Sequence, residues 1–120
     1  MSNPTESFYQ QSSEVRYQLT LAAIRRTNQL WTLKDDQGCI MVSSDEEQCL
    51  PIWPDEATAT AWATEEHAHC EPFSIDLAAF LSRWVSGMTE DGYYLAIGPS
   101  MQAESLVESP SDLAKAIQHS

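Results

Sequence analysis

The stretch from Leu50 to Trp62 constrains the fold of this chain more than any other. Its first residues, Leu-Pro-Ile-Trp, are typical of a short buried strand, and Pro54 ends that strand. Asp55 can cap the amides of a following helix, and Glu56 suits the positive end of the helix dipole. Trp62 is the one large side chain on an otherwise small-residue helical face. The junction therefore predicts a strand that passes directly into a helix, with the remaining elements packed around it.

A proline inside the strand limits where that strand can lie. Pro51 has no amide proton, so it cannot donate to a neighbouring strand. We expect it at the edge of a sheet, or with its backbone turned away from the ladder partner.

The residues before the junction predict a helix followed by a hairpin. Apolar side chains recur at helical spacing from Ser13, with a cap at Ser12 or Ser13 and a stop at Asn28. The stripe contains Val15, Leu19, Ala22 and Ala23, with Tyr17, Leu21 and Ile24 alongside. Residues 30–34 and 39–43 predict two strands joined by a turn at 35–38, and an acidic turn at 45–47 leads into the strand at 48–53. Residues 1–11 are polar and predict a flexible arm ahead of a single domain over residues 12–120.

The residues after the junction predict two more helices and three strands. A short strand at 72–75 precedes a helix capped by Asp76 and stopped at Gly87, and Glu90 to Gly92 form a turn. The inward stripe of that helix is Leu77, Phe80, Leu81, Trp84 and Val85. Residues 93–97 read as a central strand covered on both faces, a short strand follows near 106–107, and a last helix starts at 109–112. The order α-β-β-β-α-(β)-α-β-β-α defines an α+β (mixed α/β) domain, with helices packed on a mostly antiparallel or mixed sheet.

The charge of the chain is strongly negative and unevenly placed. The net charge is -12, and residues 35–82 contain eleven acids without a lysine or arginine. Such a field repels phosphate, so we predict no nucleic-acid partner. It favours a basic protein partner or mimicry of a nucleic acid, whereas the plainer explanation is a solvated surface that keeps the chain in solution.

The start and the cysteine content of the chain suggest a compartment. The first ten residues carry no positive charge and no apolar segment of a secretory signal, and no apolar run reaches the roughly 20 residues of a membrane span. We therefore expect a cytoplasmic protein without a membrane partner, with Cys39, Cys49 and Cys70 as reduced thiols.

One short segment could supply metal ligands. Zinc accepts imidazole and thiolate, and His67, His69 and Cys70 lie close together, with Cys39 and Cys49 as further thiolates. Their spacing matches no paired zinc motif, so we favour incidental histidines at a polar helix end and predict no metal or cofactor. No nucleophile elbow, phosphate-binding loop or dinucleotide fingerprint is present, and no catalytic residue is predicted.

Two function hypotheses follow. The first is a cytoplasmic, non-enzymatic interaction or accessory domain that presents an acidic face to a basic protein or to a second copy of the chain. The second is a small-molecule- or metal-binding domain, with or without enzymatic activity, that uses a groove near Trp53, Trp62 and residues 67–70. The residues expected at such a surface or groove are Trp53, Asp55, Glu56, Trp62, Glu65 and Glu66.

An ordered set of motifs resembles a known family. The chain reads WTLKDDQG at 31–38, PIWP at 51–54, an Ile-x-Leu-x-x-Phe-Leu-x-x-Trp pattern at 75–84, and EDG at 90–92. Over residues 14–118 this is similar to a family of small bacterial proteins, domain of unknown function number 2750. More loosely, the chain resembles the N-terminal domain of the SseB type. The resemblance implies a compact α+β fold and carries no activity, cofactor or catalytic residue; Gly98-Pro99-Ser100 stands where relatives read Phe-Pro-Asn.

Overall fold

The computed structural model of the chain describes residues 4–44, 47–64, 67–102 and 104–118. Its helices are α1 (Pro4–Tyr9), α2 (Ser13–Thr27), α3 (Glu56–Trp62), α4 (residues 77–91) and α5 (Pro110–Gln118). Its strands are β1 (Gln29–Asp35), β2 (Gly38–Cys39), β3 (Val42–Ser44), β4 (Glu47–Ile52), β5 (Glu71–Asp76), β6 (Tyr94–Ile97) and β7 (Leu106–Glu108). The predicted α+β class and the predicted order of elements from α2 onward are confirmed.

The strands form two small sheets. Sheet A has the order β2-β1-β5 and is antiparallel throughout. Sheet B has the order β3-β4-β6-β7, with β4 and β6 parallel and the other pairs antiparallel. The sheets meet where Trp53 donates its amide proton to the Trp31 carbonyl at 2.8 Å and accepts one from Trp31 at 3.3 Å. The junction after β4 is thus the place where the two sheets join.

Pro51 lies in the interior of a sheet, so its expected position at a sheet edge is wrong. The alternative, a backbone turned away from the ladder partner, is confirmed. β4 lies between β3 and β6. The Ile52 carbonyl accepts from Gly98 on the β6 side, and the Pro51 carbonyl accepts from the Thr32 hydroxyl at 2.6 Å. Successive strand residues point their backbone groups in opposite directions, so Pro51 points away from β6. The proton that its nitrogen lacks therefore costs no hydrogen bond in the β4–β6 ladder.

The predicted second strand is divided between the sheets. Gly38–Cys39 pairs with β1 across the expected turn, and Val42–Ser44 pairs with β4. The chain therefore leaves sheet A after two residues and enters sheet B. Asp45 and Glu46 of the predicted acidic turn lie outside the described residues.

Helix α2 has the predicted bounds but presents a different face. The Ser12 hydroxyl accepts from the Val15 amide, and Asn28 ends the helix with a left-handed φ of 59°. Val15 and Leu19 are 40% and 44% exposed, and Ala22 is also exposed. The buried side chains of the helix are Arg16, Thr20, Leu21, Ala23 and Ile24.

Helix α4 runs four residues past the predicted stop. Leu77–Ala79 is α-helical, Phe80–Trp84 forms a π-helical turn, and Val85–Asp91 is again α-helical. Gly87 lies inside the last part, and Gly92, with a φ of 75°, ends the helix. Phe80 and Met88 are buried, whereas the other four residues of the predicted stripe are half-buried.

Two apolar clusters form the core. The larger cluster joins α2, α4 and α5 to β6 and neighbouring strands, with Ile24, Phe80 and Leu113 among its fully buried members. The smaller one lies between α1, α3 and sheet A; its buried members are Phe8, Leu33, Ile40, Trp53, Ala59, Trp62 and Cys70.

The first described residues differ from the predicted arm. Residues 4–9 form helix α1, and the Phe8 side chain is 4% exposed. The sequence around Phe8 is polar and offers no periodic apolar stripe, so burial of one aromatic ring through a distant contact was not predictable from it.

Candidate functional site

The junction after β4 places two tryptophans against each other. Trp53 is fully buried, and its ring centroid lies 5.2 Å from that of Trp62 at an interplanar angle of 47°. The Trp62 indole donates to the Ser100 carbonyl at 2.8 Å, and its ring lies 4.9 Å from the His67 ring. Trp62 thereby connects α3 to the segment after β6 and to the segment before β5.

The helix that carries Trp62 is fixed at its first turn. The Asp55 carboxylate accepts from the Thr58 amide at 2.8 Å, and the Thr58 hydroxyl accepts from the Asp55 amide at 3.4 Å. This reciprocal capping confirms the predicted helix start. Asp55 and Glu56 are exposed on the surface of the molecule, while Glu65 and Glu66 lie outside the described residues.

Helix α1 completes the smaller apolar cluster. Its Phe8 is buried in that cluster with Leu33, Ile40, Trp53, Ala59 and Trp62, and α1 packs on α2 and α3. The Tyr9 hydroxyl donates to the Thr58 carbonyl of α3, and burial raises the Tyr9 pKa far above its ordinary value. Sequence reasoning identified the two tryptophans but not Phe8 and Tyr9, which carry no local signal of this contact.

The Trp53 indole lies beside the Tyr9 hydroxyl. Its N–H has no acceptor at ordinary hydrogen-bond geometry among the described residues, yet a hydrogen bond from the Trp53 side chain partly opposes the burial that raises the Tyr9 pKa. The Tyr9 hydroxyl in turn donates to the Thr58 carbonyl. Tyr9 therefore links Trp53 to α3.

An open groove lies between the β1–β2 turn and the segment before β5. It encloses about 420 Å³ and is lined by Asp35, Gln37, Cys39, Ile40, Met41, His67, His69 and Cys70. The His69 Nε2 atom lies 3.9 Å from the Cys70 Sγ and 4.0 Å from an Asp35 carboxylate oxygen. We call this the His-Cys groove. The fold thus brings Asp35 and Cys39 to the predicted metal-ligand segment.

The thiols of the His-Cys groove are held in the neutral form. Burial raises the pKa of the Cys70 thiol, and the Asp35 carboxylate raises it further. Burial also raises the pKa of the Cys39 thiol, although Lys34 opposes this. A protonated thiol is a weak nucleophile and a poor metal ligand, so the electrostatics of this groove disfavour both chemistries.

The candidate metal ligands are only partly assembled. His69 is exposed beside Cys70, whereas the His67 ring stacks on Trp62. Cys49 is fully buried in β4 and does not line the groove. Within the described part of the chain, no three histidine, cysteine or acidic residues are placed to hold a metal ion. None of the three cysteines is in a disulfide.

The chain belongs to a family without an established activity. The family described as "Protein of unknown function (DUF2750)" matches residues 17–117, which is most of the chain. α1 lies outside the matched residues. No curated protein matches the chain significantly. None of the helices in the described ranges is long and apolar enough to cross a membrane.

Proposed function

We propose that the chain is a cytoplasmic, non-enzymatic interaction domain that binds a protein partner through an acidic face. The carrying observation is that exposed acids of the base-free stretch lie on elements that pack against one another: the β1–β2 turn, the start of α3 and the start of β5. Asp36, Asp55, Glu56 and Glu71 are exposed on these elements, and we call these four residues the acidic face.

Lys34 is the cation of sheet A and lies next to this face. It stands opposite Glu71 in the strand register, and its ammonium lies 5.2 Å from the centroid of the Phe73 ring. The four acids outnumber it, while Arg16 is buried on α2 and Arg25 donates to the carbonyls of Ala116 and Ile117 at the end of α5. A basic partner would therefore be attracted across the interface, with a strong dependence on salt.

Charge reversal tests this proposal. The variant Asp36→Lys, Glu56→Lys, Glu71→Lys changes the acidic face, and the control Glu14→Lys, Glu90→Lys, Asp91→Lys makes the same net change on α2 and α4. Affinity capture from the source organism, with mass spectrometry, should retain a partner on wild type and control and lose it on the first variant and in high salt. Equal retention on both variants, or retention indifferent to salt, contradicts the proposal.

A second candidate function rests on the His-Cys groove. We propose that it binds a small molecule or a metal ion, supported by the convergence of Asp35 with the His69-Cys70 segment. A metal ion bound there would displace the proton that burial keeps on the Cys70 thiol. A ligand that binds only the folded state raises the melting temperature, so a thermal-shift screen with zinc and metabolites tests it. Stabilisation that disappears in His69→Ala supports this function, whereas an identical shift in that variant, or none with any ligand, contradicts it.

A further inference from the structure

We propose that the exposed side of α2 is a self-association surface, on which α2 of a second copy of this chain packs in antiparallel orientation. We call this surface the α2 stripe and define it as Val15, Leu19, Ala22 and Arg26, all of which are exposed. The acidic face lies on other elements, so this inference goes beyond the proposed function and does not depend on it.

Helix α2 carries apolar side chains on two sides, and the core of the molecule uses only one of them. Leu21, Ala23 and Ile24 are buried, whereas Val15 and Leu19 are 40% and 44% exposed. A surface helix ordinarily turns polar and charged residues away from the core, and a helix that is apolar all round is ordinarily buried all round. The exposed apolar side of α2 therefore indicates an interface.

The spacing of the α2 stripe indicates that the facing element is another helix. Its four residues follow one another at intervals of four, three and four positions. This is the a/d spacing of a heptad, in which each residue of the seam inserts between residues of a facing helix. From Val15 to Arg26 the seam is about 17 Å long, at 1.5 Å per residue.

Charge makes α2 the element through which two copies can approach each other. Each copy has a net charge of -12, so two copies repel each other over most of their surfaces. Within α2, three arginines stand against the single acid Glu14, and Arg26 is the exposed arginine. The repulsion between two copies is therefore smallest where their α2 helices face each other.

The order of residues along α2 selects the antiparallel orientation. Glu14 and Arg26 lie at opposite ends of the stripe, and neither has an ion-pair partner among the described residues. In an antiparallel pair, the stem of Arg26 covers Val15 of the second copy and its guanidinium reaches Glu14. Leu19 then lies against the smaller Ala22, and the two helix dipoles oppose each other. A parallel pair would instead bring Arg26 against Arg26 and Glu14 against Glu14.

The symmetry and the size of this seam determine the kind of assembly. Because the same surface is used on both copies, the pair closes at a dimer. Stable interfaces bury about 800 Å² on each partner, and one side of a three-turn seam offers less. We therefore expect a reversible dimer with a dissociation constant of the order of 100 µM.

Sedimentation equilibrium of the full chain measures this association. Between about 10 µM and about 1 mM the wild type should pass from monomer to dimer. Leu19→Glu preserves helix propensity and places a carboxylate in the seam of each copy, so association should weaken at least about tenfold. Tyr93→Glu is the matched control, since Tyr93 is 39% exposed where α4 ends and α5 begins. It makes the same change of charge and should associate like the wild type.

Charge exchange tests the orientation of the two helices. Glu14→Arg and Arg26→Glu each place like charges at both ends of an antiparallel pair, so each variant alone should associate about tenfold more weakly. An equimolar mixture of the two variants restores both contacts between opposite charges and should form heterodimers with the affinity of the wild type. Single variants that associate as tightly as the wild type contradict the antiparallel orientation.

Melting temperatures establish that each variant is folded. Ala22→Glu tests the same seam if Leu19→Glu melts well below the wild type. A wild type that stays monomeric at about 1 mM overturns the proposal, whether or not a different protein binds through Leu19. A dimer that survives both seam variants, or growth beyond two copies, overturns it as well.

Discussion

Trp62 is the residue on which most contacts of the junction converge. It contacts Trp53 and His67, and its indole donates to the Ser100 carbonyl. Its position on a small-residue helical face was enough to predict its burial. Its partners come from segments remote in sequence, and nothing local in the sequence specifies them.

Truncation of this side chain should strongly destabilise the fold. Replacing a buried tryptophan by alanine costs about 3–5 kcal/mol, a large share of the roughly 5–15 kcal/mol of an ordinary domain. We therefore expect Trp62→Ala to lower the melting temperature markedly in calorimetry. Trp62→Phe keeps an aromatic ring but leaves the Ser100 carbonyl without its donor, so its melting temperature should lie between those of wild type and Trp62→Ala. A Trp62→Ala protein that melts within a degree or two of wild type would be incompatible with this packing.

Tyr17 should make the folded state less stable at alkaline pH. Burial and a hydrogen bond from its hydroxyl to the Glu108 carboxylate at 2.7 Å raise the Tyr17 pKa to about 12. The unfolded value is about 10, so between these values the folded state binds more protons than the unfolded state. The stabilisation is therefore complete below pH 10 and is lost as the pH rises toward 12.

Denaturant titrations across this range test the assignment. Wild type should lose stability from about pH 10 upward, and Tyr17→Phe should lose less because it has no proton to release. An identical loss in both proteins would assign the pH dependence to other groups, of which Tyr9 is the first to examine because its pKa is also raised.

At the scale of elements, α2 shows what a periodic pattern can and cannot specify. The spacing of apolar residues predicted the helix and both of its ends. It could not select the buried face, because Val15-Leu19-Ala22 and Leu21-Ile24 form competing apolar stripes. Tertiary contacts bury the Leu21-Ile24 stripe. They also bury Arg16, whose guanidinium donates to four oxygen acceptors: the Gln11, Gly98 and Glu104 carbonyls and the Ser13 hydroxyl.

The two arginines of α2 should therefore behave differently when replaced. Arg16→Ala removes the guanidinium that donates to the Gln11, Gly98 and Glu104 carbonyls. Each buried acceptor left unsatisfied costs about 1–3 kcal/mol, so this variant should be clearly less stable than wild type. Arg26→Ala is the matched control, because Arg26 is exposed on the same helix and should change stability by no more than about 0.5 kcal/mol. Equal midpoints for the two variants in urea denaturation would refute the structural role of Arg16.

Gly87 inside α4 and Gly92 at its end should respond to alanine with opposite changes in stability. Gly87 lies in the helix interior with open space around its Cα, so Gly87→Ala should stabilise the protein by about 0.5–1 kcal/mol. Gly92 ends the helix with a left-handed φ of 75°, so Gly92→Ala should destabilise it by about 1–2 kcal/mol. Thermal unfolding of both variants measures the difference. A helix that stopped at Gly87, as the sequence suggested, would reverse the two signs.

At the scale of the whole molecule, the sequence predicted the elements and their class but not their division into two sheets. β1 pairs with β5 across some forty residues, and β4 pairs with β6 in parallel across α3, β5 and α4. Local propensity contains no information about such distant pairings. The open groove was unpredictable for the same reason, since Cys39 and His69 meet only when β1 and β5 have paired.

The alternation of the chain between the two sheets has a consequence for how the molecule comes apart. After β4 in sheet B the chain supplies β5 to sheet A and then returns to sheet B with β6. If a strand separated from one sheet, the short connections would also disturb its neighbours in the other sheet. We therefore expect the two sheets to unfold as one cooperative unit. Amide hydrogen exchange should show one common opening free energy for the buried amides of Leu30 in sheet A and Leu95 in sheet B. Two distinct values, each responding to denaturant separately, would mean that the Trp31–Trp53 contact is too weak to couple the halves.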